Sequence, residues 1–246
     1  MTDGIHFLDA RAPDRMRLYA IGDVHGRLDL LERMHERIAG EIARDRPADW
    51  RIVHLGDYVD RGPQSRGVID FLIAACARDQ RMIALAGNHD MGFLEFLEEA
   101  DGGGLFARYG GKETAKSYGV DAQFHSPNAL RLTWAELRCE VPGKHRAFML
   151  NLRFSIGFGD FFFCHAGIRP GVPLNRQDPD HLIWIRDEFL DYAGLHPKVI
   201  VHGHTMTDAP EVLANRVNVD TGAWRSGVLT ALVIDGAEKR LITAQA

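Results

Sequence analysis

Apolar residues early in the chain alternate between short unbroken runs and longer stretches in which they recur every three or four positions. Arg17 to Ile21 runs into Gly22-Asp23, Ile52 to Leu55 into Gly56-Asp57, and Met82 to Ala86 into Gly87-Asn88-His89. Short apolar runs that stop at turn residues read as buried strands. Between the first two, Leu28, Leu31, Met34, Ile38 and Ile42 form the stripe of an amphipathic helix. Between the second and third, Pro63 and Ser65 open a helix with Val68, Ile69, Leu72, Ile73 and Cys76 on its inner face. Three strands alternating with two helices predict parallel, right-handed crossovers whose following loops gather on one sheet edge.

From Met91 to Leu150 the pattern loosens. Asp101-Gly102-Gly103-Gly104 breaks the chain, while Asn128 to Arg138 and Pro142 to Leu152 read as helical. This stretch is expected to be a helical excursion over the site edge of one domain spanning 1–246, with a core of about 17–243. Further on, Leu152 to Phe158 and Phe161 to Cys164 flank Gly159-Asp160, a hairpin signal. Val199 to Val201 reads as another strand. Val217 to Val219, Leu229 to Ile234 and Arg240 to Thr243 read as a closing antiparallel meander. The expected class is α/β, with two sheets face to face and helices outside.

Composition narrows the function classes. A formal charge of -5 argues against a basic nucleic-acid surface. The three cysteines have no close-spaced partner, which points to a reducing, cytoplasmic setting without a zinc–thiolate site. No apolar run has the length of a membrane span.

The loops carry the chemistry: GDVHG (22–26), GDYVDRG (56–62), GNHD (87–90), CHAG (164–167) and HGHT (202–205). Asp23, His25, Asp57, Asn88, His165 and His204 are metal-capable side chains, each beside a Gly-rich turn at a strand end, where open α/β sheets collect ligands. Asp57 is the expected carboxylate bridge. Mixed nitrogen and oxygen donors suit two divalent ions, manganese first, with iron, zinc and cobalt also compatible. Two such ions against two aspartates and a hydroxide leave a positive site suited to phosphate. His202 faces the same way as His204 on a strand and is expected to lie behind it; His54 and His145 are expected to be structural.

These motifs resemble the phosphoprotein phosphatase family of calcineurin-like metallophosphoesterases, from about Leu18 to Ile234 and less closely between Met91 and Leu150. The closing VDTGA stretch (219–223) is similar too. The resemblance implies a four-layer α/β/β/α sandwich of two mixed sheets. It also implies that Asp23, His25 and Asp57 hold one ion and Asp57, Asn88, His165 and His204 the other. His89 is then the general acid and Asp60 its orienting partner, while Arg61, Arg186 and Asn88 grip the phosphate. The expected reaction is direct in-line attack by activated water. A serine/threonine phosphoprotein is the expected substrate. The alternative is a symmetrical diadenosine tetraphosphate hydrolase, since those enzymes share the Trp184-Ile185-Arg186 stretch; Trp224 can stack on a base or cover a peptide and does not decide between them. Neither nucleic acid nor membrane is an expected partner.

Overall fold

The computed structural model describes residues 4–246. In chain order it contains β1 (Met16–Ile21), α1 (Leu28–Asp45), β2 (Asp49–His54), α2 (Ser65–Arg78), β3 (Met82–Ala84), α3 (Asn88–Glu98), α4 (Leu105–Arg108), α5 (Gly111–Ser117), α6 (Pro127–Glu140) and α7 (Gly143–Leu150). The second half contains β4 (Ser155–Phe158), β5 (Phe161–Cys164), α8 (Pro179–Trp184), α9 (Asp187–Leu190), β6 (Val199–His202), β7 (Glu211–Val212), β8 (Arg216–Asn218), α10 (Ala223–Ser226), β9 (Val228–Asp235) and β10 (Glu238–Gln245). The strands form two five-stranded mixed sheets, ordered β10-β9-β1-β2-β3 and β4-β5-β6-β8-β7.

The period of two along each strand sorts side chains between layers. On β1, Leu18 and Ala20 enter the core between the sheets, while Tyr19 and Ile21 face the helices. On β5, Phe161 and Phe163 fill the inter-sheet core and Phe162 and Cys164 pack outward with Leu182 and Phe189 of α8 and α9. A strand buried on both faces must be apolar at every position, and the FFFC sequence of β5 is. Helix α1 lays Leu30, Leu31, Met34 and Ile38 on the other face of the first sheet. The architecture is therefore helix, sheet, sheet, helix.

Two expectations need correction. Cys76 on α2 is only half-buried. More importantly, Val217 to Val219 does not join a closing meander: β8 lies in the second sheet, parallel to β6 and antiparallel to β7. Only β9 and β10 close antiparallel, with β9 against β1. Between β8 and β9 the chain turns at Gly222, in the left-handed region at φ +62, and crosses to the other sheet through α10. Short apolar strands carry no mark of which sheet they enter.

The helices between Met91 and Leu150 share the core of α1 and α2, through Phe93, Phe106, Tyr118 and Leu137. They also hold polar supports. Tyr118 Oη lies 2.9 Å from His145 Nδ1, and His145 Nε2 lies 3.0 Å from the Asp70 carboxylate of α2.

Candidate active site

The loops following β1, β2, β3, β5 and β6 meet at one edge, backbone against backbone. A Cβ on Gly87 would collide with the backbone amide of Asp57, so that position requires glycine, and one on Gly203 would press on the carboxylate of Asp23. Seven non-glycine residues among those described have positive φ, and five of them stand here: His25, Asp57, Asp60, Arg61 and His204. Each left-handed residue costs about 1–3 kcal/mol and persists only where surroundings over-determine it.

For Asp57 the surroundings are identifiable. Asp90 Oδ2 accepts from the amides of Asp57 and Gly87, each at 2.9 Å, and its Oδ1 accepts from Tyr58 at 2.8 Å. Three bonds at about 0.5–1.5 kcal/mol each are enough to offset the strain of one left-handed residue. Burial and the charge of Asp57 push the Asp90 carboxyl up to about 8, against the pull of these donors.

On one side of Asp57 stand His25 and His89, their rings edge to face at 4.8 Å. His25 Nδ1 donates to the Val59 carbonyl at 2.7 Å, which leaves a lone pair on Nε2, 3.4 Å from Asp57 Oδ2. Burial pushes the His25 pKa down to about 3, so the ring is a neutral donor. His89 Nδ1 lies 2.7 Å from Asp60 Oδ2. Asp60 is itself held by the Thr114 hydroxyl, which donates to Oδ1 at 2.8 Å. The Arg61 guanidinium reaches both rings, 3.1 Å from His25 Nε2 and 2.8 Å from His89 Nε2. Burial lowers the His89 pKa, but Asp57 and Asp60 more than offset it and hold the pKa above the ordinary histidine value.

On the other side stand His165, His204 and Asn88. His165 Nδ1 donates to the Leu55 carbonyl at 3.0 Å, so its Nε2 lone pair faces Asp57 Oδ1 at 3.4 Å and Asn88 Oδ1 at 2.9 Å. His204 Nδ1 lies 2.9 Å from the same Asn88 oxygen, and its Nε2 is buried with no hydrogen-bond partner among the described residues. Burial and the neighbouring His165 push the His204 pKa down to about 2. Asp23 reaches the loop by accepting from the His204 amide at 3.1 Å. The Arg186 side chain is exposed and makes no hydrogen bond or ion pair among the described residues, while its charge is felt at His165 and His204.

Lone pairs facing carboxylate oxygens repel unless a cation sits between them. Bonds of about 2.0–2.1 Å place adjacent ligand atoms roughly 3 Å apart, which is the spacing found here. His25 and His89 form one metal-capable group with Asp57, and His165 and His204 form another with the same Asp57. Each Asp57 oxygen faces one group. The donor set therefore fits a pair of divalent ions.

A family model for calcineurin-like phosphoesterases matches residues 16–223. The chain belongs to that family. The phosphoesterase is 27% identical over 238 residues to a bis(5'-nucleosyl)-tetraphosphatase PrpE (asymmetrical) from Halalkalibacterium halodurans, covering 88% of this chain and 89% of the relative. It is 28% identical over 232 residues to the protein of that name from Anoxybacillus flavithermus, covering 86% and 88%. A crystal structure of a candidate diadenosine tetraphosphatase superposes with a TM-score of 0.66 at 19% identity, over 96% of this chain and 98% of that one. A protein serine/threonine phosphatase from Saccharomyces cerevisiae superposes at 0.52 and 13% identity, over 98% and 85%. At these identities the two structures share the fold alone.

Three supports of the phosphoesterase's site went unread in the sequence. Asp90 had a signal, an acidic residue at the third helical position that reaches back to the helix start. Thr114 had none, because its partner Asp60 lies 54 residues away. Asp220 in VDTGA is buried close to Asp23, and the two carboxyls interact, with burial the main force pushing Asp220 up to about 6.

Proposed function

We propose that this phosphoesterase hydrolyses dinucleoside polyphosphates, splitting them asymmetrically, with two divalent ions held at Asp57. By this reading Asp23, His25 and Asp57 hold one ion, and Asp57, Asn88, His165 and His204 the other. The observation that carries the metal reading is Asp57, whose two oxygens each face an imidazole lone pair at 3.4 Å. Bound there, the ions would supply positive charge to phosphoryl oxygens and acidify water. Among the described residues no helix is long and apolar enough to cross a membrane.

The chain's own groups divide the remaining work. Arg61 and Arg186 are the phosphate grips, planar donors on opposite sides of Asp57. His89 is the proton donor to the leaving oxygen, oriented by Asp60 through Nδ1. In the observed arrangement Arg61 donates to His89 Nε2, so a proton resides there only after the guanidinium turns away. A phosphate that draws Arg61 to itself therefore also frees the acid.

The substrate choice rests on the relatives, whose names favour dinucleotides over the phosphoprotein that the motifs alone place first. Elemental analysis of the purified protein, alongside manganese-supported assays of diadenosine tetraphosphate, a phosphopeptide and nitrophenyl phosphate, tests both parts. About two ions per chain and the highest kcat/KM on the dinucleotide, with AMP and ATP as products, are expected. Two ADP would mean symmetrical cleavage, and a preference for phosphopeptide would restore the protein-phosphatase reading.

A further inference from the structure

Each side of Asp57 carries one tryptophan and one arginine that the hydrolytic machinery does not explain as a pair. Trp184 closes α8 and is 45% exposed, although its ring centroid stands only 6.2 Å from that of His204. Ile185 turns inward into the core under α8, which leaves Trp184 and Arg186 both outside, two residues apart. On the other side the Arg61 guanidinium carbon lies 5.6 Å from the ring centre of Trp224. Trp224 is partly buried, and its buried Nε1 finds no acceptor among the described residues.

An indole with solvent-facing ring area beside the site offers apolar surface that a ligand can bury. A flat aromatic surface next to a phosphate-seeking guanidinium matches a nucleotide, whose base stacks while its phosphate is held. A molecule with such an end on both sides of its phosphates matches two of these pairs. Resting on the dinucleotide reading above, we infer that Trp184 and Trp224 are nucleobase platforms, Trp184 with Arg186 for one end of the substrate and Trp224 with Arg61 for the other. Together they select a two-headed nucleotide over base-free polyphosphates and phosphopeptides.

The test compares the manganese-loaded wild type with Trp184→Ala, Trp184→Phe and Trp224→Ala on diadenosine tetraphosphate and on inorganic tripolyphosphate, which has no base, with a phosphopeptide assayed in parallel. The ratio of kcat/KM values isolates base recognition from any disturbance of Arg61 or the ions, since both substrates feel that disturbance. Each alanine variant is expected to lower the ratio by about tenfold, the size of one base–aromatic stack. For Trp184→Ala the loss falls mainly in KM, and Trp184→Phe restores most of it. An unchanged ratio in both alanine variants overturns the platforms while leaving the hydrolase reading standing. A wild type that splits tripolyphosphate but not the dinucleotide sinks the substrate reading and the platforms together. A loss confined to phosphopeptide hydrolysis would assign the indoles to a protein substrate instead.

Discussion

The His25–His89 side of Asp57 and the His165–His204 side differ in how much of their polar chemistry the protein satisfies by itself. On the first side Arg61 already donates to both free imidazole nitrogens, and a chain of hydroxyl and carboxylate runs back from His89 through Asp60 to Thr114. On the second, among the described residues His204 Nε2 has no hydrogen-bond partner, two imidazoles converge on one Asn88 oxygen, and the exposed Arg186 side chain makes no hydrogen bond or ion pair. The same carboxylate serves both sides, so the contrast comes from what surrounds it. The braced side fixes the orientation of the His89 ring through Asp60, as an acid requires, and parks Arg61 on the nitrogen that takes the proton once the guanidinium moves to phosphate. The less satisfied side leaves its donors open to an ion and a phosphate without displacing an internal partner, whereas an ion at His25 must displace Arg61.

The strongest way to break the contrast is to remove what the sides share. Asp57→Asn should lower metal-dependent hydrolysis by about 10³-fold or more and leave both sites poorly loaded by elemental analysis, since each ion loses a charged ligand. Loss of one ion only would mean that Asp57 does not bridge.

His89→Asn acts on the braced side alone. Turnover of an alkyl phosphomonoester should fall by about 10²-fold or more, while a good leaving group such as nitrophenolate loses far less and bound metal stays unchanged. Equal losses on both leaving groups would rule out the acid role.

Asp90→Asn tests the brace itself. One oxygen becomes an N–H facing amide donors, so metal affinity should weaken by about 10–100-fold, and the melting temperature should fall with it. An unchanged melting temperature would show that the left-handed Asp57 is held by other contacts.

Arg186→Ala is the mildest change and belongs to the open side. KM should rise by about tenfold with the melting temperature shifted by no more than about 1–2 °C, because the exposed side chain makes no hydrogen bond or ion pair among the described residues. A clear loss of stability would place Arg186 in a structural contact.

Legibility followed range along the chain. The loops after β1, β2 and β3 were readable because each joins an apolar run to a Gly-rich polar turn within a few residues, and crossovers return such turns to one edge. His165 and His204 were readable for the same reason at β5 and β6. The supports were not: Thr114 sits in a loosely patterned helical stretch, and its bond to Asp60 exists only because α5 packs on α2. The misplaced β8 has the same origin, since strand pairing depends on which edge is free when the sheets assemble.

The residue types and their local frames followed from the sequence: apolar runs that must be strands, turn residues that stop them, and donors whose chemistry suits divalent ions and phosphate. Which nitrogen of each histidine is free, how Asp57 divides its oxygens, and which indoles remain uncovered were decided only in the folded chain. Tautomer, lone-pair direction and exposure are fixed by a carbonyl such as Val59 or Leu55 arriving from a distant loop. No local pattern encodes the partner that tertiary packing supplies.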